Sequence, residues 1–315
     1  MIRSSLIIAV PFLALGCVEG PDVDAAIDQR VEIPAAPAEA EGFQLIGPEI
    51  TIPSGADQMW CWVPDLGVAE VDHLIKNFVT YQGASGHHLL AMKSVIPRQV
   101  GDVFDCTTAD GMSSVEPLIT PSTQNSEGTV NLLSDDFAVR LAAGTQIVMQ
   151  SHYVNVETKP ILVRDVGNFL FLPADEERIE ANFMVINDLN LNIPPTDESY
   201  VHSTACAIER PMQFAALTGH MHEWGQRVFV EKITADGTTI IYDQPDWSPK
   251  FRDAPPVTRM PLDAPITVDV GDTLRITCEW INDTDEALTF PHEMCDAVFV
   301  YYPALPEGFL LCGDG

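Results

Sequence analysis

The chain has 315 residues, which is long enough for two medium-sized domains with substantial cores. Apolar residues make up 46% of the sequence, so a mostly disordered protein is excluded. With 16 basic and 46 acidic residues, the formal net charge is −30. Such a charge repels phosphate backbones and excludes nucleic acid as a partner. The 24 prolines and 20 glycines favour short strands and turns over long helices.

Residues 1–16 are organised like a secretion signal. Arg3 is followed by an apolar run that ends before Cys17 and is too short to anchor the chain in a bilayer. The sequence Ala14-Leu15-Gly16-Cys17 resembles a bacterial lipobox, in which the cysteine is lipidated and becomes the new N-terminus. We therefore expect an exported protein, anchored through Cys17 to a bacterial membrane. Because Val18 is not aspartate, the outer membrane is favoured. The alternative is a secreted protein in which Cys17 is a free or paired thiol.

Residues 17–41 are acidic, rich in proline and alanine, and lack sustained periodicity, so we interpret them as a tether. The rest of the chain is predicted to form two domains, 42–177 and 178–315. Short segments of strand composition, bounded by turn residues, predict an all-β chain of two consecutive β-sandwich, jelly-roll-like domains. The predicted strands are 75–81, 138–141, 146–154, 228–233, 238–242, 273–280 and 297–302.

Five of the eight histidines lie in three compact motifs. A His-x-His pair on a strand directs both imidazoles to one face, because side chains alternate along a strand. Adjacent histidines diverge on a regular strand and need a bulge or a strand end to converge. Each motif alone is a weak signal, since a single strand histidine is more often a hydrogen-bonded core residue. The motifs are Gly86-His87-His88-Leu89-Leu90, Gln150-Ser151-His152-Tyr153 and Gly219-His220-Met221-His222.

Glu293-Met294-Cys295, followed by Tyr301-Tyr302-Pro303, completes a set that resembles the copper type II ascorbate-dependent monooxygenases. The motifs stand in that family's order, with similar gaps, from residue 43 to the C-terminus. The resemblance implies one copper ion in each domain. Imidazole suits copper and a thioether favours Cu(I), although the alternative for Met294 is a core methionine. The implied ligands are His87, His88 and His152 in the N-terminal domain, and His220, His222 and Met294 in the C-terminal domain.

Six cysteines remain besides Cys17, an even number that an oxidising compartment can pair completely. Sequence alone leaves their connectivity open. The family resemblance implies the pairs Cys61–Cys106, Cys206–Cys312 and Cys278–Cys295.

The resemblance implies a copper-dependent monooxygenase that hydroxylates a C–H bond of a small organic substrate with O₂. In that mechanism the copper of His220, His222 and Met294 reacts with O₂, which makes these three residues catalytic. The three-histidine copper supplies the second electron, and ascorbate or another one-electron reductant reloads both ions. We expect Gln150 to orient His152 by a hydrogen bond.

The sequence departs from the peptide-processing members at three positions near the second site. Thr218 replaces an arginine that holds the substrate carboxylate, Asp296 replaces an asparagine, and Val298 replaces a tyrosine. A peptide with a C-terminal glycine is therefore a poor candidate substrate. A cationic amine is conceivable, since Asp296 and Glu223 could pair with it, although a solvent-facing role for both acids is the preferred interpretation in so acidic a chain.

The rival interpretation is a non-catalytic protein that binds or sequesters copper at the cell surface. A third is a structural sandwich whose histidines are incidental. Two sites of unlike composition favour the enzyme, because a storage protein gains more from many similar sites.

Overall fold

The computed structural model describes residues 26–65, 69–119, 123–125, 128–130, 132–252, 254–290 and 292–314. The predicted signal, Cys17 and the first part of the predicted tether lie outside these residues. Helical structure in the described part of the chain is limited to α1 (Ala109–Met112) and a 3-10 turn at Pro249–Phe251. No helix found there is long and apolar enough to cross a membrane. The predicted all-β class is confirmed.

In the described residues, the N-terminal half contributes the strands β1 (Ile27–Asp28), β2 (Gly42–Ile46), β3 (Ile50–Ile52), β4 (Asp57–Trp62), β5 (His73–Tyr81), β6 (Gly86–Ser94), β7 (Val103–Phe104), β8 (Val115–Ile119), β9 (Thr123–Asn125), β10 (Gly128–Val130), β11 (Phe137–Leu141), β12 (Ile147–Val154), β13 (Ile161–Val163), β14 (Val166–Phe171) and β15 (Ile179–Glu180). Two five-stranded sheets form its sandwich, in the orders β15-β11-β5-β14-β2 and β7-β4-β12-β6-β8. Smaller sheets pair β1 and β3 with β13, and β9 with β10.

The C-terminal half contributes β16 (Asn182–Asp188), β17 (Asn192–Ile193), β18 (Tyr200–Ala207), β19 (Met212–His220), β20 (Gly225–Thr234), β21 (Gly237–Gln244), β22 (Val257–Arg259), β23 (Ile266–Val268), β24 (Thr273–Trp280), β25 (Leu288–Thr289), β26 (Asp296–Tyr302) and β27 (Leu310–Asp314). A larger sheet has the order β22-β19-β26-β16-β27, with β23 also paired to β19. A second sheet has the order β18-β24-β20-β21, and β17 pairs with β25.

The two halves share apolar contacts because the middle strands of the larger C-terminal sheet are buried on both faces. On β26, Phe299 and Tyr301 pack into the C-terminal core, whereas Val300 and Tyr302 pack into the N-terminal core. The rings of Phe137 and Tyr302 lie 5.0 Å apart between centroids. This shared packing sets the position of one half relative to the other.

Part of the segment predicted as a tether lies on the N-terminal sandwich. β1 pairs in parallel with β13, and Gln44 Nε2 donates a hydrogen bond of 3.0 Å to the Pro34 carbonyl. The side-chain oxygen of Gln29 accepts a bond of 2.9 Å from the Ser85 backbone N–H. Gln29 therefore supports the turn immediately before the first histidine motif.

Three disulfides connect segments that are distant in sequence. They are Cys61–Cys106, Cys206–Cys312 and Cys278–Cys295, which are the pairs that the resemblance implies. The first joins β4 to the segment after β7, and the third joins β24 to the residue next to Met294. Two of the three disulfides therefore brace segments close to candidate metal ligands.

A buried polar network fixes β12, the strand that carries His152. The Tyr153 hydroxyl donates to Asp165 Oδ1 and the Ser151 hydroxyl to Asp165 Oδ2, each at 2.5 Å. Ser151 in turn accepts a bond of 3.0 Å from Trp62 Nε1. The side chain of Asp165 is 2% exposed, and its burial raises its pKa from 3.8 to about 6.

We expect this raised pKa to make the folded state less stable as pH rises. Because the folded state binds the Asp165 proton more tightly than the unfolded state, its contribution to the free energy of unfolding falls between about pH 4 and pH 6. The loss over this range is about 3 kcal/mol. Asp165→Asn should remove this part of the pH dependence in urea unfolding. Asp135→Asn, at an exposed carboxylate, is the control and should retain it. An unchanged pH dependence in Asp165→Asn would contradict the assignment.

Candidate metal centres

A β-bulge brings the adjacent histidines of the first motif together. His88 on β6 pairs with His152 on β12, whereas Tyr153 pairs with Gly86, so His87 is the extra residue of the bulge. His87 Nδ1 and His88 Nδ1 lie 2.8 Å apart. The sequence required such an irregularity for the two rings to converge, and the structure contains it.

His87, His88 and His152 form a compact group with metal-ligand geometry. Each offers a ring nitrogen, and these atoms all lie within 4.8 Å of one another. His152 Nδ1 is buried without a hydrogen-bond partner, as expected of a nitrogen that serves a metal ion. Burial, and then the neighbouring histidines, lower the pKa of His88 well below its ordinary value, which favours the neutral form that binds metals. The donor set fits copper.

Two polar side chains, Asp57 and Gln150, form hydrogen bonds to rings of this group. His152 Nε2 lies 2.5 Å from Asp57 Oδ1, and this bond lowers the pKa of Asp57. A carboxylate on one ring nitrogen fixes the tautomer and leaves the other nitrogen for a metal. Gln150 Oε1 lies 3.4 Å from His88 Nε2. Gln150 therefore contacts His88, whereas the sequence analysis expected it to contact His152.

The second histidine motif lies at the end of β19. His220 is the last residue of the strand, and His222 follows in the connection to β20. Met221 is buried in the core between them, so both imidazoles emerge on the same side. His220 Nε2 and His222 Nε2 lie 3.1 Å apart. A Cβ at Gly219 would lie 2.8 Å from a methyl group of Val228, so this position requires glycine for close packing.

His222 is held so that its Nε2 atom is available to a metal. Its Nδ1 lies 3.2 Å from the His292 carbonyl oxygen, which selects Nδ1 as the donor. Burial lowers the pKa of His222 to about 4 and favours the neutral ring. Trp247 Nε1 donates a 2.9 Å bond to the His222 carbonyl and further fixes the backbone.

Strand pairing and Glu293 bring the backbone of Met294 near the segment that carries these histidines. It lies two residues before Asp296, which pairs with His220 across β19 and β26. Glu293 Oε1 accepts the backbone N–H of Met294 at 3.0 Å and that of His222 at 2.5 Å. The backbones of His222 and Met294 are therefore held close together.

The two histidine groups approach one another closely at one point. The rings of His87 and His222 lie 6.3 Å apart between centroids. Sequence reasoning assigned the groups to separate domains and gave no distance between them.

Three residues that bear on substrate recognition at the second group, Thr218, Glu223 and Asp296, differ in their contacts. Thr218 is buried, and its hydroxyl donates a 2.8 Å bond to the Pro256 carbonyl just before β22. Glu223 forms an ion pair with Arg252. Asp296 has its pKa raised to about 7 by burial and by the nearby carboxylate of Glu293.

Sequence reasoning missed the roles of Asp57 and Glu293. Asp57 lies at the exposed start of β4, and no local pattern indicates that it reaches across to β12. Glu293 belongs to a recognised motif, which was a usable signal, but its contacts depend on the chain returning to His222. Arg252 was likewise not identified.

The comparison with protein families found a match in the C-terminal half of the chain. Residues 180–312 match the model of the copper type II ascorbate-dependent monooxygenase C-terminal domain. No curated protein matches the chain. Among solved structures, one of infectious bursal disease virus, Gx strain, aligns with 85% of this chain and 73% of that chain, at 9% identity and a TM-score of 0.21.

Proposed function

We propose that this chain, whose residues 180–312 match the model of the copper type II ascorbate-dependent monooxygenase C-terminal domain, hydroxylates a C–H bond of a small organic substrate. The reaction uses O₂ and an external one-electron reductant such as ascorbate. The observation that supports this proposal best is the proximity of the two histidine groups, in which the rings of His87 and His222 lie 6.3 Å apart between centroids.

The two groups offer different donor atoms, so a copper ion would have a different role in each. Copper supplies one-electron redox chemistry with O₂ when it is bound. His87, His88 and His152 would hold one copper ion through three nitrogens, and that ion would supply an electron. His220, His222 and Met294 combine imidazoles with a soft thioether, which stabilises the reduced ion. Glu293 and Asp57 hold ligands of the two groups in place.

The surroundings of the second group argue against a peptide carboxylate as the recognised part of the substrate. Thr218 offers no charge, and its hydroxyl is already bonded to Pro256. Glu223 is neutralised by Arg252, whereas Asp296 is the strand partner of His220. A small amine or an uncharged amide therefore suits this region better than a carboxylate.

The three disulfides support export to an oxidising compartment. Within that compartment we propose that Cys17, which lies outside the described residues, carries a lipid that holds the protein at the outer membrane. The membrane then contacts the protein through this anchor.

The decisive experiment loads the chain without residues 1–16 with copper and reduces it anaerobically. O₂ is then admitted in the presence of a panel of small amines and amides. We expect O₂ consumption coupled to the substrate and ¹⁸O from labelled O₂ in the product. Copper binding without turnover on any compound would instead favour a non-catalytic copper-binding protein.

A further inference from the structure

Glu293 is a buried carboxylate whose bonds join two distant parts of the chain. Its side chain is 0% exposed. Oε1 accepts the backbone N–H of His222 at 2.5 Å and of Met294 at 3.0 Å, and Oε2 accepts that of Trp224 at 3.1 Å. His222 and Glu293 are separated by 71 residues in sequence. One side chain therefore ties the His-x-His segment to the methionine segment.

Burying the Glu293 carboxylate costs the fold free energy, which points to a role beyond stability. Burial of a carboxylate is unfavourable, and in the described part of the chain Glu293 has no ion pair with lysine or arginine. Its compensation comes from N–H groups, two of which belong to candidate ligands of the same metal ion. A neutral apolar residue would fill the space but would leave those N–H groups unpaired.

We propose that Glu293 is a positioning residue, which fixes the backbones of His222 and Met294 relative to each other so that an imidazole and a thioether meet at one metal ion. This inference rests on the proposed function, because it concerns the second copper site. The Cys278–Cys295 disulfide braces the same segment from the side of β24. Glu293 ties this segment instead to the connection between β19 and β20, through His222 and Trp224.

Glutamine at position 293 is the sharpest test because it preserves size. One amide oxygen still accepts the N–H groups of His222 and Met294. The NH₂ group of glutamine then faces the N–H of Trp224. Because both groups are donors, no hydrogen bond can form between them, and the segment around residue 293 must shift. Glu223→Gln is the matched control, since Glu223 follows His222 directly but bonds to Arg252. Asn282→Ala controls for stability, since Asn282 is buried in the same half and bonds to Ile193 and Glu286.

The first measurement uses the copper-free protein with ¹³C-methyl methionine. The Met294 signal, identified among the ten methionines by Met294→Leu, should shift in Glu293→Gln. It should stay in place in Glu223→Gln and in Asn282→Ala. If the Met294 signal of Glu293→Gln coincides with that of the wild type, the positioning role is refuted, whatever the protein does with copper.

The second measurement uses Cu(I) and X-ray absorption. In Glu293→Gln we expect the affinity of one site to fall by about 10- to 100-fold and its sulfur scattering to weaken. Both controls should keep wild-type values. A melting temperature that falls in Glu293→Gln with unchanged sulfur scattering and Cu(I) affinity would reduce Glu293 to a merely structural role and overturn the proposal. Absence of sulfur scattering in the wild type would instead overturn the proposed function, and the copper-free measurement would still decide the role of Glu293.

Discussion

Replacing His87 and His88 together by alanine is expected to lower the copper content from two ions to one per chain and to abolish turnover. The three candidate ligand nitrogens all lie within 4.8 Å of one another, so loss of two of them leaves His152 alone, which is too few ligands to retain the ion. The second group uses other residues and should keep its copper. Copper content by elemental analysis and substrate-coupled O₂ consumption test this expectation.

The control for this variant replaces two histidines outside both groups. His73 stacks on Phe171, and His202 bonds to Asp188. His73→Ala with His202→Ala removes the same number of imidazoles and should retain two copper ions and turnover. Two copper ions in the His87→Ala, His88→Ala protein would show that the three-histidine assignment is wrong.

The second large effect is expected from Met294→His, which keeps a three-ligand site but exchanges a soft donor for a harder one. Copper should still bind, so the content stays at two ions per chain. The preference for Cu(I) weakens, and reaction with O₂ depends on the reduced ion. We expect turnover to fall by about 100-fold, which corresponds to about 2.7 kcal/mol on the barrier.

Met294→Leu distinguishes ligation from core packing. Leucine replaces methionine at similar volume, and such exchanges in a core usually cost less than about 1.5 kcal/mol. If Met294 only fills space, Met294→Leu should keep both turnover and melting temperature. If the thioether binds copper, the leucine protein should lose turnover at nearly unchanged melting temperature. Unchanged turnover in both variants would remove Met294 from the mechanism.

Much of the fold could be predicted from the sequence because strand formation follows local patterns. The predicted strand 273–280 is β24, and the predicted 146–154 differs from β12 by one residue. Side-chain alternation and turn residues act over a few positions, so a single sequence contains this information. The even count of six cysteines besides Cys17 is likewise a property of the sequence, although their pairing depended on the family resemblance.

The histidine motifs are visible in the sequence, although their assignment as candidate ligands depended on the family resemblance. The sequence required a bulge or a strand end at His87 and His88 but did not decide between them. The bulge appears only when β6 is paired with β12. Bulges depend on the register between two strands, which is set by the whole sheet and not by either strand.

Only the tertiary structure decided which residues support the candidate ligands and how far apart the two groups lie. Asp57 reaches His152 across a strand pair, and Glu293 reaches His222 over 71 residues of sequence. The 6.3 Å between the rings of His87 and His222 follows from apolar packing of Tyr302 and its neighbours against the N-terminal core. Contacts of this kind depend on the packing of whole sheets, for which a local pattern holds no information.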